Sequence, residues 1–167
     1  MKNKDLLDKV LIGKQGVYKK KQDIFRRLQD GFLVIISNVM PGFPKKNGKV
    51  KQFMESVIAK VVLELPLEKK DFLENDAGLF YFFESRLDPL LLKRRAVHVE
   101  SSSKFYRLLD IDCYHGTGFP ISRISLNLPQ RKCLICNNDA AQCLLNFQHP
   151  THALRASALK LIDEFKF

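Results

Sequence analysis

Apolar residues recur at close to helical spacing over residues 5–28, at Leu6, Leu7, Val10, Leu11, Val17, Ile24, Phe25 and Leu28. That period predicts an amphipathic helix. Gly13 and Gly16 interrupt it, so the segment reads as two helices or as one with a weak middle. "GFLVIIS" (31–37) is short and rich in branched residues, which predicts a buried strand. "NVMPGFPKKNGK" (38–49) holds two Pro, two Gly and two Asn and predicts a loop. Helical spacing returns over 50–65, and "GLFYFFE" (78–84) reads as a second core strand. "DPLLLKRR" (88–95) opens a helix, with Asp88 as cap and Pro89 at the first helical position. A strand at 108–114, the "HGTG" turn (115–118) and a short "FPISRI" segment follow, then two helices near 138–148 and 151–165. The order α-β-α-β-α-β-β-α-α contains no internal repeat. It predicts one α/β (α+β) domain over 1–167, a mixed β-sheet with helices packed on it.

The strand "LLDIDCY" carries a chemical oddity. Alternation puts Leu109, Ile111 and Cys113 on one face and Asp110 and Asp112 on the other. Two acids two residues apart lie roughly 6.5 Å apart at Cα, close enough to converge on one cation. Mg²⁺ takes oxygen ligands and is often held by one or two carboxylates plus substrate phosphates. The plainer reading is a strand with one solvated face. A polyphosphate would also need cations, and Arg107, Arg123 and Arg131 lie near the acids in sequence. Each could equally be a surface charge. Lys45, in the loop after the first strand, is a further candidate for substrate contact, although that loop has no P-loop pattern. The "SSS" run (101–103) could donate to phosphate or serve as a linker.

Cys133, Cys136, Cys143 and His149 form C-x₂-C-x₆-C-x₅-H, a ligand set suited to tetrahedral zinc. On one continuous helix Cys143 and His149 would sit about 120° apart. His152 is therefore an alternative ligand, and buried reduced thiols are the alternative to a metal.

Composition narrows the class. The hydrophobic fraction of 46% and charged fraction of 28% are those of an ordinary globular chain. The charged N-terminus shows no secretory pattern and the apolar runs are too short to span a bilayer. With four cysteines, this points to the reducing cytoplasm, without a membrane. The net charge is +10, and residues 1–60 hold 14 Lys/Arg against 5 Asp/Glu. Such a basic third attracts polyphosphates, nucleic acids or acidic proteins. A zinc-stabilised nucleic-acid-binding module is one reading, but no aromatic–basic interleaving or known motif supports it, which argues against nucleic acid as a partner.

Taken together, "RLLDID" (107–112), "PISR" (120–123), "LPQRKCLIC" (128–136), Cys143 and His149 closely resemble the citrate lyase holo-[acyl-carrier-protein] synthases. These are also called apo-citrate lyase phosphoribosyl-dephospho-CoA transferases. "NVMPGFPK" (38–45), Gly13–Gln15 and "LLLKR" (90–94) extend the likeness along the chain. The resemblance implies a nucleotidyltransferase-like protein. Its members move the 2′-(5″-phosphoribosyl)-3′-dephospho-CoA group from 2′-(5″-triphosphoribosyl)-3′-dephospho-CoA onto a serine of the apo acyl carrier subunit of citrate lyase, releasing pyrophosphate. It implies Mg²⁺ on Asp110 and Asp112, which also help activate the serine. The related transferase of malonate decarboxylase is a further reading. Two departures stand out: Tyr106 replaces the family's Gly before Arg107, adding bulk beside the site, and Ser102–Ser103 replace His-Pro after Glu100–Ser101.

Overall fold

The computed structural model describes residues 3–28, 30–116 and 118–167. Its elements are helix α1 (Asn3–Arg27), strand β1 (Phe32–Asn38), α2 (Gly48–Glu64), β2 (Glu68–Asn75), β3 (Gly78–Ser85), α3 (Pro89–Ser102), β4 (Leu109–Tyr114), α4 (Ala140–Leu145) and α5 (Thr151–Glu164). Short 3-10 turns occupy Phe105–Leu108 and Ile124–Leu126. The caps follow the sequence signals. Asn47 accepts from the Val50 amide at the start of α2, and Asp88 accepts from Leu90 and Leu91 at the start of α3.

The sheet runs β2-β3-β1-β4, and all three pairings are antiparallel. This corrects the expected mixed sheet, for a topological reason. The α2 crossover joins β1 to β2 and the α3 crossover joins β3 to β4, but a third strand separates each linked pair. The β1-α2-β2-β3-α3-β4 unit is thus the split βαβ, ferredoxin-like arrangement. The strand missing from the pattern is β2, "EKKDFLEN", a charged edge strand joined to β3 by a two-residue turn. The expected strand at "FPISRI" is reduced to an isolated bridge between Tyr114 and Pro120. Thr117 of the "HGTG" turn lies outside the described residues.

Both sheet faces are covered. Val34, Ile36, Leu79, Tyr81, Phe83, Leu109, Ile111 and Cys113 pack with α2, α3 and α5 into the main core. On the other face Leu33, Ile35 and Phe82 meet Val17, Ile24 and Phe25 of α1. Helix α1 is one element, the second of the two readings that its spacing left open. Its glycines serve close approach: a Cβ on Gly13 would come within 2.7 Å of Asn75 Oδ1. Asn75 Nδ2 donates to the Gly13 carbonyl at 2.9 Å, fastening the helix to the β2–β3 turn.

Candidate active site and metal centre

The β4 register bears out the alternation. Leu109, Ile111 and Cys113 are fully buried, while Asp110 and Asp112 are partly exposed on the opposite face. Asp110 pairs with Ser37 and Asp112 with Ile35, so the acids share the α1-side face near the sheet edge. Burial, reinforced by the Asp110 charge, pushes the Asp112 carboxyl up to about 6. Lys93 and Arg131 act against that rise and Glu100 adds to it.

Because β4 is an edge strand, its backbone must be satisfied from outside the sheet. Helix α3 does this with two buried charges. Glu100 accepts from the Ile111 amide at 2.7 Å, and Lys93 donates to the Ile111 carbonyl at 2.7 Å. Glu100 is only 4% exposed and also receives Arg123 on Oε2 and Arg131 on Oε1. Arg131 continues to Asp110 Oδ1 at 2.8 Å and to the Leu109 carbonyl at 2.5 Å. A charge-assisted chain therefore runs Arg123–Glu100–Arg131–Asp110. Glu100 as its hub was missed in the sequence. The signal was present, since Lys93 and Glu100 lie two turns apart within the α3 stripe Leu92, Ala96, Val97, Val99 that faces the core.

Next to this chain lies a cavity of about 360 Å³. Lys104, Arg107, Arg123, Arg131 and Lys132 line it, with Glu100 its one acidic residue among the described residues. Three of the four expected phosphate contacts thus share one cleft. Arg123 and Arg131 are not simple surface charges, because both are held by Glu100. Lys45 lies elsewhere. It lines a separate cavity of about 450 Å³ with Lys46, Lys51 and Glu74, and its ammonium donates to the Met40 carbonyl at 2.9 Å. Burial, with the nearby Lys14 and Arg155 charges, lowers its pKa. Ser101 and Ser103 line the basic cleft, but Ser101 and Ser102 turn their hydroxyls back to the α3 carbonyls of Val97 and Val99. Tyr106 does not crowd the cleft; its ring is buried in the main core.

The donor chemistry of Asp110 and Asp112 fits a magnesium ion. Both are carboxylates on one strand face, and each would lose repulsion from the other beside a dication. Arg131 takes one of the Asp110 oxygens.

The cysteine cluster is assembled as its spacing suggested. The ligand atoms of Cys133, Cys136, Cys143 and His149 all lie within 4.8 Å of one another, so the cluster could hold a metal ion. Cys136 Sγ is 3.4 Å from Cys143 Sγ and 3.2 Å from His149 Nε2. With metal–sulfur bonds near 2.3 Å, a tetrahedral zinc site requires S···S edges of about 3.8 Å, within reach of this arrangement. The 120° objection falls because α4 ends at Leu145, before His149. Phe147 adopts a positive φ of 48°, and Gln148 N donates back to the Cys143 carbonyl at 2.9 Å, returning the chain toward the thiols. His152, the alternative ligand, is exposed on α5 and outside the cluster. Burial would raise the Cys133 thiol, but backbone amides of Cys136 and Ile135 and the neighbouring thiols outweigh it and lower its pKa.

Among the described residues no helix is long and apolar enough to cross a membrane. The family model for apo-citrate lyase phosphoribosyl-dephospho-CoA transferase matches residues 6–165. A probable apo-citrate lyase phosphoribosyl-dephospho-CoA transferase of Streptococcus pyogenes is 26% identical over 148 residues, covering 85% of this chain and 77% of that protein. A protein of the same description from Vibrio cholerae is 32% identical over 75 residues, 45% of this chain and 42% of its own. An apo-citrate lyase phosphoribosyl-dephospho-CoA transferase of Citrobacter koseri is 38% identical over 63 residues, 38% of this chain and 33% of its own. The resemblance carried by the motif residues is borne out, and with it the transferase reading. The chain belongs to the apo-citrate lyase phosphoribosyl-dephospho-CoA transferase family.

Proposed function

We propose that the protein attaches the 2′-(5″-phosphoribosyl)-3′-dephospho-CoA group to a serine of the apo acyl carrier subunit of citrate lyase, using 2′-(5″-triphosphoribosyl)-3′-dephospho-CoA as donor. The observation that carries this reading is the junction of an acid pair with a five-cation cleft through one residue, Arg131. In the reaction the serine oxygen forms a bond to the phosphorus nearest the ribose. The bond from that phosphorus to the bridging oxygen breaks, and pyrophosphate leaves. The serine proton passes to a carboxylate of the acid pair. Arg107, Lys104 and Lys132 would bind and orient the triphosphate, while Arg123 and Arg131, held by Glu100, present preorganised donors to it. Asp110 and Asp112 would hold Mg²⁺, which when bound supplies charge neutralisation at the reacting phosphate.

Residues 1–167 act in this reading as one transferase domain, supported by a main core that draws on residues from Val34 to Phe165. The likeness to nucleotidyltransferases is one of site chemistry, two acids on one strand face. Lys45 is assigned the part of holding the 38–46 loop. The Cys₃His cluster is assigned zinc, because three thiolates and one imidazole are the donors that ion favours. Four cysteines outside any disulfide fit a cytoplasmic location.

The test is transfer by Asp110→Asn and Asp112→Asn with Mg²⁺, the triphosphate donor and apo carrier, following pyrophosphate release and the mass of the carrier. Each variant should lose transfer by at least about a hundredfold while staying folded, since an amide holds Mg²⁺ far less well than a carboxylate. Near wild-type transfer by either variant would remove that residue from the site.

A further inference from the structure

Residues 115–150 are nearly bare of regular structure, with one six-residue helix and one 3-10 turn among the described residues. They are also nearly bare of core. Between Tyr114 and Ser157 the buried apolar side chains among the described residues are Cys133 and Cys143, both members of the Cys₃His cluster. Of the large apolar residues around that cluster, Leu134 packs partly buried against the main core, while Leu144, Leu145 and Phe147 are each more than two-thirds exposed. A segment with so little buried area lacks the hydrophobic energy to fix its own backbone. Metal ligation is the usual substitute.

What the cluster would fix is specific. Arg131 and Lys132 immediately precede Cys133, and residues 131–140 form a small hairpin around the first two cysteines. Ala140 N donates to the Arg131 carbonyl at 2.7 Å, Cys133 N to the Asn138 carbonyl at 2.9 Å, and Lys132 bridges to Asp139. Ile135 N points at Cys133 Sγ at 3.5 Å, the donor arrangement of a thiolate knuckle. The hairpin's near end carries Arg131 to Asp110 and Glu100, and Asn137 from its tip lines the same basic cleft.

We infer that zinc held by Cys133, Cys136, Cys143 and His149 is a positioning device, fixing the 131–140 hairpin so that Arg131 stays between Glu100 and Asp110. This rests on the zinc assigned above but not on the transfer reaction, and its test does not use activity. The purified protein should contain about one zinc per chain, and cobalt exchange should give the thiolate charge-transfer absorption of a tetrahedral site. Chelation should speed amide exchange over 128–142 by at least about tenfold, with α2 unchanged. It should also broaden the Arg131 guanidinium NMR signal while leaving that of Arg155, anchored on the Pro41 and Pro44 carbonyls, unaltered. Adding zinc back should reverse both effects, and Cys136→Ser should reproduce them. Zinc present, with exchange and the Arg131 signal indifferent to its removal, would overturn the positioning role while leaving the metal in place. Metal-free protein with a slowly exchanging hairpin would overturn both.

Discussion

Asp112 is disfavoured twice as a carboxylate, by burial and by the like charge of Asp110. Its folded pKa near 6 stands above the ordinary 3.8, so the folded protein holds this proton more tightly than the unfolded chain does. At pH below about 4 both states are protonated and nothing is lost. As pH rises toward 6 the unfolded chain ionises first, and stability falls; above about 6 the full penalty applies. Asp112→Asn, which cannot ionise, should therefore be more stable than the parent at pH 7.5 by roughly 1 to 2 kcal/mol, discounted for partial exposure. That advantage should vanish by pH 4. Urea unfolding across this range in magnesium-free buffer measures it, and a pH-independent difference would place the carboxylate in a better solvated setting. Asp110 differs: its side chain is 45% exposed and paired with Arg131, so its neutralisation should change stability little. The two substitutions expected to stop transfer should thus differ in their effect on the fold, one stabilising it and the other leaving it nearly unchanged.

At the scale of elements, helix α1 shows propensity yielding to packing. Two glycines ten and thirteen residues past the start of a helix argue for a break if only the local chain is weighed. The helix continues because Gly13 lets the β2–β3 turn reach its backbone. Gly13→Ala should therefore destabilise by about 1 to 3 kcal/mol despite the better helix former, because the new methyl would meet Asn75 and the Ala77 amide. Gly16→Ala, whose methyl would sit 3.6 Å from Asn75 Nδ2, should be neutral or stabilise by up to about 1 kcal/mol. Thermal unfolding of the two variants separates the effects. Strands β1, β3 and β4 and helices α2, α3 and α5 were legible because each buries an apolar run or stripe. Strand β2 was not, because an edge strand with so many charges carries no such signal. The ligand set was legible as spacing, but the turn at Phe147 that makes it geometrically sound was not, since a positive φ at a phenylalanine has no local sequence mark. Glu100 went unread because a single acid in an apolar stripe gains meaning only once its partners converge from residues 111, 123 and 131.

Across the whole molecule the positive charge divides into parts with different duties. Much of the basic first third is spent internally. Lys20 pairs with Asp71, Lys46 and Lys51 share Glu74, and Lys49 meets Asp163. Lys21 lies over the Tyr114 ring at 4.7 Å and reaches the Gly118 carbonyl. Reversing Lys20 or Lys21 would disturb the fold as well as the surface, which leaves exposed Lys19 as the clean probe of the α1 face. In the cleft the corresponding probe is Arg107, whose guanidinium has no ion pair among the described residues, in contrast to Arg123 and Arg131. Arg107→Ala should raise KM for the triphosphate donor about tenfold, the loss expected for one charge-assisted phosphate contact, with the melting temperature unchanged. Lys19→Glu should leave that KM alone and, for a carrier of net negative charge, raise the carrier KM by a smaller factor that shrinks as salt rises, because a surface charge acts through a screened field. Steady-state kinetics for both substrates at low and high salt distinguishes the two. A carrier KM that follows Arg107 and ignores Lys19 would mean that the carrier, rather than the triphosphate, occupies the basic cleft.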